Sequence, residues 1–276
     1  MARMSRAQSL EAPAGLLPLP RPLMTGEMLD GGFRLFRAGL LRCLPYSGLA
    51  VLALELPSLY TTFISSGKGP GADRYVVLGA SLLTGIALIG LLTLRLHAIS
   101  RGQQPRLRSE LRTVLRRWPS QILATLIALS FPGLLVGMAW MISPVSPNPL
   151  LIALEFLLIW PAGLVVATLP AFWCDGLGPF DAIMQSLRVS RRRFWRMSGA
   201  ILAIGCMVLV FFVLAAIVVA LVLKILGSAD LFLIAAIESI AWLVVGAVGV
   251  PLLLTMLIVA YEDLKLREAE RLGANP

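Results

Sequence analysis

MSGAILAIGCMVLVFFVLAAIVVALVL, residues 197–223, runs without one charged side chain. An α-helix rises about 1.5 Å per residue, so a run of this length more than crosses the roughly 30 Å of hydrocarbon in a bilayer. Its flanks are abrupt, with Arg191-Arg-Arg-Phe-Trp-Arg196 before it and Lys224 after it. Uncharged, long and bracketed by basic and aromatic residues, the stretch predicts a transmembrane helix.

The same grammar recurs on both sides of it. Apolar runs at 44–64, 75–96, 119–142, 149–173 and 231–261 predict five more spans, giving an all-α integral membrane fold of six transmembrane helices. Composition agrees: 58% of the 276 residues are hydrophobic and 14% charged, too little polar surface to wrap a water-soluble core. The last run is too long for a perpendicular crossing, so it is expected to tilt, to bend at Pro251, or to continue as helix through Glu262 and Arg267. Residues 1–25 hold prolines at 13, 18, 20 and 22 and no apolar core with a small-residue cleavage site. They predict a disordered cytoplasmic tail rather than a cleavable signal, with 26–271 as one membrane domain and 272–276 as a short tail.

Orientation follows from the 24 Lys and Arg residues. Six precede the first span, seven cluster from the inner end of the second, with Arg95, to the start of the third, five lie between the fourth and fifth, and three follow the sixth. Lys68, Arg74 and Lys224 alone occupy the opposite connections. Positive charge concentrates on the cytoplasmic side, so both termini are placed there. The net charge of +9 is thus read as attraction to anionic lipid headgroups, not to nucleic acid.

The basic segments share a pattern. Leu29-Asp-Gly-Gly-Phe-Arg-Leu-Phe-Arg37, Leu107-Arg-Ser-Glu-Leu-Arg-Thr-Val-Leu-Arg-Arg-Trp118 and Phe180-Asp-Ala-Ile-Met-Gln-Ser-Leu-Arg-Val-Ser-Arg-Arg-Arg-Phe-Trp195 repeat apolar residues at helical spacing. Matching Phe33-Arg34, Leu111-Arg112 and Leu187-Arg188 gives offsets of 78 and 76 residues. Three parallel repeats, 26–98, 105–173 and 179–261, are expected, each an interfacial amphipathic helix followed by a membrane hairpin. Such helices sink Phe, Leu and Trp below the headgroups, with Arg34, Arg37, Arg112, Arg116, Arg188, Arg191, Arg192 and Arg193 as the candidate headgroup contacts. The alternative is that these arginines serve only as orientation signals.

Catalytic patterns do not emerge. One histidine, His97, stands beside Arg95, and no zincin, nucleophile-elbow or phosphate-loop motif occurs. Cys43, Cys174 and Cys206 lack metal or disulfide spacing. No enzyme activity, cofactor or metal is therefore expected. Glu55, Glu155 and Glu238 lie inside apolar runs, where an ionised carboxylate is costly and usually faces the bundle interior. They are expected at similar depth, converging on one polar cavity, either as packing groups or as the cation or solute site of a small transporter or channel.

The order of these features resembles the bacterial membrane domain found beside glycerophosphoryl diester phosphodiesterases, and its uncharacterised YciC-like relatives. Leu29 to Arg37, Asp181-Ala-Ile-Met-Gln-Ser-Leu-Arg-Val-Ser-Arg-Arg-Arg-Phe-Trp-Arg196 and Ala260-Tyr-Glu-Asp-Leu-Lys-Leu-Arg267 carry the likeness, over about residues 25–270. The resemblance implies six helices and no catalytic residue, because the membrane domain is not the catalytic part. The expected function is a non-enzymatic inner-membrane protein that associates with anionic lipids or with partner membrane proteins.

Overall fold

The computed structural model describes Leu17 and residues 21–61, 71–142, 167–192, 194–226, 231–271 and 273. Among these the chain is all-helical: α1 (Thr25–Leu59), α2 (Ala72–Ser100), α3 (Leu107–Ile142), α4 (Thr168–Cys174), α5 (Pro179–Arg192), α6 (Phe194–Leu226) and α7 (Leu231–Arg271). Four stretches are long and apolar enough to cross a membrane: Thr25–Leu59, Ala72–Ser100, Leu202–Lys224 and Ser239–Arg271. The expected third span lies within α3, and most of the expected fourth, 149–173, lies outside the described residues.

Local chemistry sets the helix ends. Glu27, in the first turn of α1, accepts a hydrogen bond from the Met24 backbone N–H at 2.8 Å and pairs with Arg21 at 2.5 Å. α2 stops in a Schellman turn: Gly102, with φ +68°, donates to Ile99 O, and Gln103 N donates to Ala98 O. The left-handed conformation is why glycine stands at 102.

α1 is sandwiched between α2 and α7, antiparallel to both, and close approach depends on small residues. A Cβ on Gly32 would strike the Met256 side chain, and one on Gly246 would sit 2.8 Å from Val51 Cγ1. Leu35, Cys43, Leu92, Leu96 and Ile258 fill the seam, and Phe172, Trp173, Val114 and Tyr261 form a second cluster beside it.

Pro57 and Pro251 each leave a carbonyl without an in-helix donor, and a serine of a neighbouring helix supplies one. Pro251 cannot donate to Ala247 O four residues back; the Ser47 hydroxyl of α1 lies 2.6 Å from that oxygen. Pro57 likewise frees Ala53 O, which accepts from Ser81 of α2. At these two positions the freed carbonyl is satisfied from a neighbouring helix. α7 runs helical through Pro251 to Arg271, the third of the outcomes open for the last run.

The amphipathic segments are helical, and the first two differ from expectation in not being helices of their own. They are the opening turns of α1 and α3; the third is helix over Pro179–Arg192, with helix again from Phe194. Some of the segments' large apolar residues are exposed, and others pack inward, Leu29 and Phe36 among them. α1 buries Met28, Gly32, Leu35 and Gly39, with Phe33 exposed. α3 buries Glu110 and Val114 and exposes Leu107, Leu111 and Leu115, while α5 buries Ala182, Ile183, Ser186 and Val189 and exposes Phe180 and Met184. The tail expected to be disordered is docked where it is described: Leu17 is buried and its N–H donates to Ser100 O at 2.9 Å. An apolar side chain reaching a bundle seam is held there by the surface it removes from water.

Candidate functional site

The start of α1, the end of α2, the start of α3, the α4–α5 turn and the end of α7 meet at one end of the bundle, which also carries most of the basic residues. Polar side chains are interlocked there. Asp175, just past α4, accepts from Tyr261 OH at 2.5 Å through one oxygen and from Lys265 Nζ at 2.6 Å through the other. Tyr261 is fully buried, so its hydroxyl requires a partner, and the carboxylate supplies one. Lys265 also lies 3.7 Å from Glu262.

Two residues further along α7, Asp263 is 1% exposed and pairs with Arg267 one turn on, at 3.0 Å. Together they clamp the chain entering α1: Leu23 N donates to Asp263 Oδ1 at 2.7 Å, and Arg267 Nη2 donates to Leu23 O at 2.6 Å. Charge-assisted bonds of this kind contribute about 1.5–3 kcal/mol each, and removing one partner would strand the other's charge in a buried place.

On the other flank, Arg95 stacks over the Tyr46 ring at 4.5 Å and approaches Glu110 of α3 at 3.6 Å. Burial holds the Glu110 carboxyl above the ordinary range, against the pull of Arg95. Glu110 and His97 line a cavity of about 630 Å³ together with Gln103, Gln104 and Arg106. Arg117 of α3 reaches across to α4 and its turn, donating to Phe172 O at 3.3 Å and Gly176 O at 2.7 Å.

Of the sequence-derived headgroup contacts, Arg34, Arg37, Arg112, Arg116, Arg188 and Arg191 are exposed, and none pairs with a carboxylate among the described residues. The side chains of Arg192 and Arg193 lie outside what is described. Glu55 is half-buried in α1; Glu155 and the side chain of Glu238 lie outside the described residues, and with them the expected shared cavity. Cys43 is buried in the α1 seam, Cys174 half-buried beside Asp175, and Cys206 exposed on α6.

Sequence reasoning missed the Asp175 hub and treated Tyr261 to Arg267 as a mere extension of a span. The signal was there: Tyr261 and Lys265, and Asp263 and Arg267, stand four apart on a helix directly following an apolar run. Asp175 carries no such mark, since its partners are 86 and 90 residues away.

No protein-family model matches the chain, and no match was found among curated proteins or solved structures.

Proposed function

We propose that the chain is a non-enzymatic multi-pass protein of a bacterial inner membrane, with six transmembrane helices in three parallel repeats and both termini cytoplasmic. Its basic end engages anionic lipid headgroups or partner membrane proteins, and the side chains exposed there favour the lipid. The observation that carries this reading is the pairing of exposures at that end. Arg34 and Arg37 stand beside exposed Phe33; Arg112 and Arg116 beside Leu111 and Leu115; Arg188 and Arg191 on the helix that exposes Phe180 and Met184. Large apolar side chains turned outward next to unpaired guanidinium groups match the boundary between acyl chains and headgroups, where each basic residue contributes about 1 kcal/mol against an anionic surface. The 21 cationic residues counted toward one face, against three toward the other, support the same orientation. The likeness to the phosphodiesterase-associated membrane domain rests on the quoted motifs and points to the same non-catalytic role.

The test is lipid retention. Full-length protein extracted from bilayers of equal phosphatidylglycerol and phosphatidylcholine, and weighed with its bound lipids by native mass spectrometry, should carry the anionic lipid in several-fold excess. Changing Arg34, Arg37, Arg188 and Arg191 to Gln should reduce that excess. Bound lipid of bulk composition in the unmodified protein would contradict the reading.

A further inference from the structure

A crevice of about 530 Å³ opens between α3 and the α4–α5 turn, with Arg112, Arg116 and Arg117 on one wall and Cys174, Asp175 and Gly176 on the other. Three features of its walls favour a compact anion. Arg117 is fixed: two of its nitrogens donate to the Phe172 and Gly176 carbonyls, and its guanidinium lies 5.8 Å from the Phe172 ring centre, so its charge is held in place without a carboxylate. Asp175 is the one acid in the lining, and both of its oxygens are occupied, by Tyr261 and by the cation of Lys265. Its negative charge is therefore offset from outside the crevice, leaving the three guanidinium charges uncompensated.

Arg112 and Arg116 stand one turn apart on the same face of α3, exposed and without a carboxylate partner. Like charges at this spacing repel one another, and two planar forks that share a face converge on one tetrahedral oxyanion. Gly176 brings the opposite wall close: its φ is +70°, and a Cβ there would lie 3.3 Å from the Arg117 guanidinium. Exposed Leu111 and Leu115 flank the two free arginines, giving an apolar surface where the chains of a lipid would continue.

We propose that this crevice binds the phosphate group of a single anionic glycerolipid, with Arg112 and Arg116 as the fork and Arg117 as a fixed positive wall. The proposal rests on the reading that the basic end faces headgroups, and it replaces a diffuse attraction at this point by a site of defined stoichiometry. A phosphate ester in solution offers the same chemistry, so the experiment separates the two sources.

Full-length protein in a neutral detergent is titrated calorimetrically with dioctanoyl phosphatidate, glycerol 3-phosphate and inorganic phosphate. One saturable equivalent of the short-chain lipid is expected. The double substitution R112Q/R116Q should weaken it about tenfold or more, and R74Q/K224Q, which removes two exposed charges from the opposite connections, should leave it unchanged. Thermal unfolding gives a second readout: the lipid should raise the midpoint of the unmodified protein and not that of R112Q/R116Q, whose own midpoint without lipid should match. Competition by glycerol 3-phosphate at similar concentration would support the phosphate site and assign it to soluble esters; competition only by lipid would assign it to a headgroup. Unchanged binding in R112Q/R116Q, or equal loss in both double variants, would overturn the crevice while leaving the anionic enrichment of the whole protein intact. Absence of that enrichment would instead overturn the reading beneath it.

Discussion

Ser47 looks unremarkable in the sequence, a small polar residue within an apolar run. Its role appears only when α7 is laid beside α1, because the oxygen it serves belongs to the carbonyl that Pro251 deprives of a donor. Ser47→Ala should lower stability by about 1 kcal/mol, within the range found for hydrogen bonds in membrane interiors. Restoring an N–H at position 251 should make that loss smaller: in a Pro251→Ala background the same serine substitution should cost less, because Ala247 O regains an in-helix partner. Thermal unfolding of the four proteins in detergent checks this, and strictly additive effects would show that the serine and the proline act independently. The Asp175 hub teaches the same lesson. A carboxylate just past a helix end reads as a cap or a solvated turn residue, and only the fold brings Tyr261 and Lys265 to it.

At the level of the helix, periodicity revealed that residues 29–40, 107–118 and 180–194 are amphipathic, and the chain is helical through the described parts of each. Which face packs was not legible. The helical spacing sets Leu29, Phe33, Phe36 and Leu40 on the face expected to sink below the headgroups; Phe33 is exposed, whereas Leu29 and Phe36 pack partly against a core cluster. Next to a membrane the outside is apolar too, so apolarity alone does not select the inner stripe, and closeness of approach does. Met28, Gly32, Leu35 and Gly39 therefore form the seam of α1. Gly32→Ala should destabilise by about 1–3 kcal/mol, because Met256 must move to admit a methyl group. Gly26→Ala, with nothing within 4 Å of the new Cβ, serves as the comparison and should be neutral or mildly stabilising. Equal stability of the two variants in the same denaturant series would show that α1 and α7 do not approach as closely as described.

Across the whole molecule, the apolar runs gave the helical class and the membrane as solvent, since length and charge depletion are local properties of the chain. Four helices long and apolar enough to cross are described, and the basic segments gather at one end of the bundle. Less legible was the use of that end. Charge counting treats each Lys or Arg as an address label, whereas the structure divides them. Arg95, Arg117, Lys265 and Arg267 are tied into the bundle, and Arg34, Arg37, Arg112, Arg116, Arg188 and Arg191 are left facing outward. The division depends on partners distant in sequence. The account as a whole requires that the basic end be the cytoplasmic one and that six spans connect it to the other side. Cysteine accessibility on intact cells tests both together, with Cys43, Cys174 and Cys206 replaced by Ala and single cysteines placed in turn at Ser109, Ser146 and Ser228. An impermeant thiol reagent should label the cysteines at 146 and 228 and leave that at 109 untouched until the cells are opened. Labelling at 109 on intact cells, or labelling at 146 or 228 only after the cells are opened, would contradict the topology on which the lipid-engaging role of the basic end depends.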